Sequence, residues 1–163
     1  MPTPLTRRPR SRDADPQNLP QPTAADPELV TVDTTWGKVQ PLQPYPDVPT
    51  VGELELIALV EQGAVLVDTR VADSRSGHTL PGAVHLPHDQ ITDRLSELSP
   101  DVVSIVFCNG PQCTQTPDAI GRLLDAGYPA ASLAYYRGGL HDWVTLGYPT
   151  DTVPADQEDD DDV

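Results

Sequence analysis

Between residues 48 and 150, short apolar runs alternate with segments whose apolar positions recur at helical spacing, and this alternation limits the fold more than any other feature. Runs at 64–67, 83–86, 102–107 and 132–136 read as buried strands. Between them, Val51, Leu54, Ile57 and Ala58 form one helical face before Gly63, and Ile91, Leu95 and Leu98 form another within 89–98. Ile120, Leu123 and Leu124 precede Gly127, and a last helix over 140–146 carries Trp143. Thr50 and Glu53 have capping-box spacing. Thr116, Pro117 and Asp118 read as N-cap, first helical residue and an acid near the positive helix end. Strands alternating with helices predict an α/β domain on a mostly parallel sheet.

The flanks differ in kind. Residues 1–27 are rich in Pro, Arg, Asp and Gln without an apolar period and read as a disordered arm. Residues 28–47 read as a partly ordered arm or linker, and 151–163, ending in an acidic block, as a solvated disordered tail. A net charge of −15 argues against nucleic acid and anionic membranes as partners. Arg7, Arg8, Arg10 and Arg12 precede no apolar stretch, so no secretory signal is read and a cytoplasmic location is expected. There thiols stay reduced, and two cysteines read as chemistry or as small buried hydrophobes before they read as a staple.

Both cysteines fall in one loop, CNGPQCT, residues 108–114. Cys108 ends the clearest strand, and ligands of such sheets bind beyond the carboxyl ends of the strands. The loop leads into a helix N-terminus, whose free N–H groups and dipole favour an anion, so Cys108 is expected to be the acidic thiol. An ordinary thiol, at about 8.5, is only about 3% ionised at pH 7. The plainer reading is a buried cysteine filling a strand end.

Three segments, LVDTRVADSRSGHTLPGAVHLP (66–87), the Cys108 loop and YYRGGLHDWVTLGYP (135–149), together resemble the successive signatures of a single rhodanese-like domain over residues 48–150. The resemblance implies a five-stranded, mostly parallel sheet flanked by helices, and a sulfurtransferase-type site where a loop cysteine carries sulfane sulfur as a persulfide. Cys108 matches the catalytic position. Asn109, Gly110, Pro111, Gln112, Cys113 and Thr114 match the loop whose backbone N–H groups cradle the anionic sulfur. Asp68 and Arg70 match a supporting ion pair, Pro81 and Gly82 the turn into the next strand, and Gly138, Gly139 and Trp143 the packing of the last helix. The loop departs from the common thiosulfate-using pattern. It is about two residues longer by that resemblance, has no Arg or Lys, and loses a donor at Pro111. Thr114 stands where the phosphatase branch of the fold has Arg, which argues against phosphate-ester hydrolysis.

Cys113 is either a resolving thiol for Cys108 or a packing residue under the helix. His78, His85, His88 and His141 lack metal-ligand spacing with the cysteines, so neither a metal nor a cofactor is expected. The expected partners are a small sulfur-containing anion or protein persulfide as donor, and a thiol or cyanide as acceptor. The competing expectation is a non-catalytic binding or redox-sensing module that uses the Cys108/Cys113 pair.

Overall fold

The computed structural model describes residues 38–75 and 77–153, together with 21–22, 25 and 30–31. Leu29, Val32 and Trp36, read as part of the linker, and the acidic block 158–162 lie outside the described residues. Near the N-terminus β1 (Gln21–Pro22) pairs antiparallel with β2 (Val30–Thr31). The domain then runs α1 (Glu53–Glu61), β3 (Val65–Asp68), β4 (His78–Thr79), β5 (Val84–His85), β6 (Ser104–Phe107), α2 (Gln115–Asp125), β7 (Leu133–Tyr136), α3 (Gly139–Thr145) and β8 (Asp151–Thr152).

Strands β5, β3, β6 and β7 lie in that order in one parallel sheet. Burial on both faces explains why their sequences are apolar runs rather than alternations. Ile105 and Phe107 of β6, Leu66 of β3, and Ala134 and Tyr136 of β7 pack with Leu56 of α1 and Leu140 and Trp143 of α3. Val106, Val67 and Tyr135 face the other way, onto Ala119, Ile120 and Leu123 of α2 and onto Ile91 and Leu98.

The fold is the expected one, with four sheet strands where five were implied. The fifth is reduced to one parallel bridge between Thr50 and Tyr135, at the β7 edge. Tyr135 N–H donates to Pro49 O and Val51 N–H to Tyr135 O, both at 2.8 Å. Pro49 has no N–H to extend the ladder. The same bridge moves the start of α1. Residues 49–51 are held extended against β7, Gly52 is the N-cap, and its N–H donates to Glu55 Oε1 at 3.1 Å. The expected Thr50/Glu53 box is not formed; the Thr50 hydroxyl donates to Leu42 O instead.

Residues 91–97 form a 3₁₀ helix, broken at Arg94, where an α-helix was expected. Thr92, Asp93 and Ser96 are weak α-helix formers, and the segment is short enough for the tighter winding. Beyond the last helix, β8 pairs antiparallel with β4, and Val153 N–H donates to Gly77 O. The chain therefore stays attached to the domain through Val153, past the boundary at 150 that the sequence suggested.

Residues 38–48 form a strap across the carboxyl ends of the strands. Gln40 N–H donates to Pro111 O at 2.7 Å, and the Tyr45 hydroxyl donates to Pro117 O at 3.0 Å. A Cβ on Gly121 would lie 2.5 Å from the Tyr45 hydroxyl oxygen, so α2 is bare where the strap crosses it. Arg137, just after β7, donates to Gln40 O from Nε and Nη2. Among the described residues, no helix is long and apolar enough to cross a membrane.

Candidate functional site

Asp68 ends β3 and Cys108 follows β6, so the parallel register brings the two segments to one end of the sheet. Arg70 is fully buried there. Its Nε and Nη2 donate to the two carboxylate oxygens of Asp68, at 2.9 and 2.7 Å. Its Nη1 reaches Asn109 Oδ1 at 2.8 Å and Arg75 O at 3.2 Å, and Nη2 also reaches His78 O at 2.6 Å. All five guanidinium N–H donors are thereby used. Asp68 accepts further bonds from Arg75 Nε and the Thr79 hydroxyl. Burial raises the Asp68 pKa, but the charge and hydrogen bonds of Arg70, and then Arg75, outweigh it and hold the carboxyl below its ordinary range.

Through Asn109 this pair fixes the residue that follows Cys108 in the loop. From the other side, α3 binds the loop by its backbone: Leu140 N–H donates to Cys108 O and His141 N–H to Asn109 O. Gly139 permits this approach, with a φ of +60° and an ideal Cβ position only 2.3 Å from Cys108 O. Gly138 allows the Asp142 carboxylate close to the same turn, and Trp143 packs in the core with its Nε1 donating to Pro149 O. Pro81 and Gly82 form the turn before β5, where Gly82 N–H donates to Asp151.

The helix after the loop starts at Gln115 with Thr114 as N-cap, two residues before the expected cap. Thr116 is buried inside the first turn, and its hydroxyl lies 2.7 Å from that of Thr69. Thr69 in turn donates to Phe107 O at 2.9 Å. The only hydroxyl proton of Thr116 therefore goes to Thr69, and the Thr116 amide is the donor that serves Cys108, whereas the amides of Asn109 and Gln115 serve Cys113. The loop amides are thus divided between two sulfurs rather than gathered on one.

The expected order of thiol acidity is reversed. Cys108 is only 2% exposed, and burial, followed by its hydrogen bond with Cys113, pushes its pKa well up. The helix does act in the expected sense, through Thr116, but desolvation wins. Cys113 is partly exposed, and its thiol is brought down to about 7, first by the Cys108 hydrogen bond and, against burial, by the two amides and the Arg70 charge. Both cysteines are free thiols, and Cys108 Sγ also lies 3.8 Å from Cys113 O.

A family model described as "Rhodanese-like domain" matches residues 53–146, more than half of the chain. The chain belongs to the rhodanese-like family. Among curated relatives, it is 35% identical over 98 residues to the HTH-type transcriptional regulator Rv0324 of Mycobacterium tuberculosis, covering 60% of this chain and 42% of the regulator. It is 34% identical over 96 residues to the thiosulfate sulfurtransferase GlpE of Pseudomonas syringae pv. syringae, covering 59% of this chain and 86% of that enzyme. Among solved structures, a thiosulfate sulfurtransferase from Pseudomonas aeruginosa superposes with a TM-score of 0.52 at 29% identity, over 64% of this chain and 20% of that one. The rhodanese-like domain of the Anabaena sp. Alr3790 protein gives 0.53 at 27% identity, over 64% and 80%.

Within the rhodanese-like domain, the sequence missed Thr69, Thr116 and Gln115 as loop partners, and Arg137 as the anchor of the strap. Tyr135 was also missed. Its hydroxyl is buried without a hydrogen-bond partner, and burial, then the charge on Cys108, raises its pKa. His85 and His88 go to separate contacts, with Arg75 and Asp118. Among the described residues, no cluster of three His, Cys, Asp or Glu side chains could hold a metal ion.

Two outcomes follow from this site. Asp68→Asn leaves the Arg70 charge uncompensated in the interior and should cost about 3–5 kcal/mol in denaturant unfolding. A depressed carboxyl pKa contributes stability above its unfolded value of about 3.9, and that contribution is lost as pH falls through the folded value. The variant should therefore lose less stability than the parent on acidification below about pH 4; a cost under about 1 kcal/mol would contradict the assignment. For the thiols, peptide-resolved alkylation of the wild-type protein should label Cys113 first, its rate at pH 7 already about half its alkaline plateau. Faster labelling of Cys108 below pH 7 would reverse the order.

Proposed function

We propose that this chain is a sulfurtransferase or persulfide carrier that stores sulfane sulfur on Cys108. The supporting observation is a sulfur at the carboxyl end of a central strand, served by the Thr116 amide, in a loop clamped by Arg70 and α3. The likeness to thiosulfate sulfurtransferases supports the same reading. In the transfer, the Cys108 thiolate attacks the sulfane sulfur of a donor RS–S⁻ and expels RS⁻, leaving Cys108–S–S⁻. An acceptor thiolate or cyanide then attacks the outer sulfur and releases the Cys108 thiolate. Nearby amides stabilise negative charge in both steps at no cost in reorganisation.

The loop from Cys108 to Gln115 carries no cationic side chain. A persulfide monoanion therefore suits it better than the thiosulfate dianion, whose leaving sulfite also needs its charge balanced. Intact mass after incubation with polysulfide should rise by about 32 Da, the mass of one sulfur atom, and Cys108→Ser should retain no sulfur at that position. Loading by thiosulfate should be the slower of the two. No adduct from either donor would remove the transfer reading.

The contact between the two thiols favours a second reading, a redox-sensing module. Peroxide would convert the two thiols into one disulfide with release of two waters. Mild peroxide should then abolish both free thiols in the monomer, reversibly by dithiothreitol; retention of two free thiols would exclude this use.

A further inference from the structure

The chemistry proposed above requires a donor to reach a sulfur that is almost entirely enclosed. Cys108 is 2% exposed, and its neighbours Asn109, Thr116 and Pro117 are buried as well. The loop over it is tied down at three places: Arg70 to Asn109, α3 to the carbonyls of Cys108 and Asn109, and the strap through Gln40 to Pro111. Arg137 holds Gln40 in turn. A donor approaching Cys108 directly would have to displace part of this covering, because displacement at sulfur needs the attacking and leaving atoms roughly in line.

Cys113 meets the opposite conditions. It is partly exposed, and its thiol is in hydrogen-bonding contact with that of Cys108. The amides of Asn109 and Gln115 and the Arg70 charge face it, so it has its own stabilisation for an anionic sulfur. Cys108 has a separate donor in the Thr116 amide. One loop thus holds two sulfurs that share a hydrogen bond, one partly exposed and one shielded.

We propose that Cys113 is the entry thiol of the site, taking sulfane sulfur from a persulfide or polysulfide donor and passing it to Cys108. The proposal rests on the sulfur-transfer reading given above. In the first step the Cys113 thiolate attacks the outer sulfur of RS–S⁻, forming Cys113–S–S⁻ and releasing RS⁻. In the second, the Cys108 sulfur, its proton passing to the Cys113 side, attacks that outer sulfur; the S–S bond to Cys113 breaks and the Cys113 thiol is restored. Both steps are displacements at sulfur without net oxidation, so no further reactant is needed. The second is intramolecular between atoms already in contact, which spares the entropy of a bimolecular encounter. The shielded product on Cys108 is protected from stray thiols until an acceptor engages the loop.

The test is a quenched time course on the full chain with inorganic polysulfide as donor. An alkylating quench and peptide mass analysis read the sulfur on each cysteine separately. In wild type, sulfur should appear on Cys113 first and move to Cys108. Cys108→Ser should still load Cys113 and keep the sulfur there. Cys113→Ser and Cys113→Ala should both load Cys108 to the same final level, but at least about tenfold more slowly. Wild-type-like loading in both Cys113 variants would overturn the relay, as would first appearance of sulfur on Cys108 in the wild type. Absence of sulfur on either cysteine of the wild type would instead overturn the sulfur-transfer reading beneath it. The wild-type order is read without any substitution, so a variant that disturbs the loop does not shield the proposal.

Discussion

A guanidinium with every donor satisfied and no access to water is the constraint on which this site depends. Arg70 cannot be buried without Asp68, since an unpaired charge in the interior costs several kcal/mol. Asp68 in turn needs Arg75 and Thr79 to complete its own bonds. Once that network is in place, one guanidinium N–H remains for Asn109, and the loop that carries both sulfurs is fixed at its second residue. Such a pair adds little net stability against an apolar replacement. Its value here is positional: it ties the end of β3 to the loop after β6 and places a positive charge where it favours the Cys113 thiolate.

The sheet supplies the rest of the geometry. A parallel order gathers the ends of β3, β6 and β7 on one edge, and both faces are sealed by helices, so only that edge is available for chemistry. The bare backbone of Gly139 lets α3 close on the loop, and the strap closes it from above. The result is a deep sulfur and a shallow one. The burial of Cys108 and the hydrogen bond between the two thiols, more than the helix dipole, decide which ionises first.

Much of this was legible in the sequence. The four apolar runs are the four sheet strands, and Asp68, Arg70 and the Cys108 loop lie together at one end of the sheet. Three of the errors share one cause: local signals are overruled where backbone or side chain is committed to a distant partner. Thr50 looked like a helix cap, but its neighbours pair with β7. Thr116 looked like a cap as well, but its hydroxyl is engaged by Thr69, across 47 positions of sequence. The acidity of Cys108 was argued from the helix alone, because depth of burial cannot be read from residues that follow one another in a loop. The Arg137–Gln40 clamp links positions 97 apart and leaves no periodic trace.

The central claim is that a loop held by Arg70 carries sulfane sulfur on the shielded cysteine. A crystal structure of the polysulfide-treated protein tests it most directly. The account predicts one extra sulfur bonded to Cys108 Sγ, within hydrogen-bonding range of the Thr116 amide, with the Arg70 contacts to Asp68 and Asn109 retained. Sulfur resting only on Cys113, or a loop that must release Asn109 from Arg70 to accept it, would contradict that account.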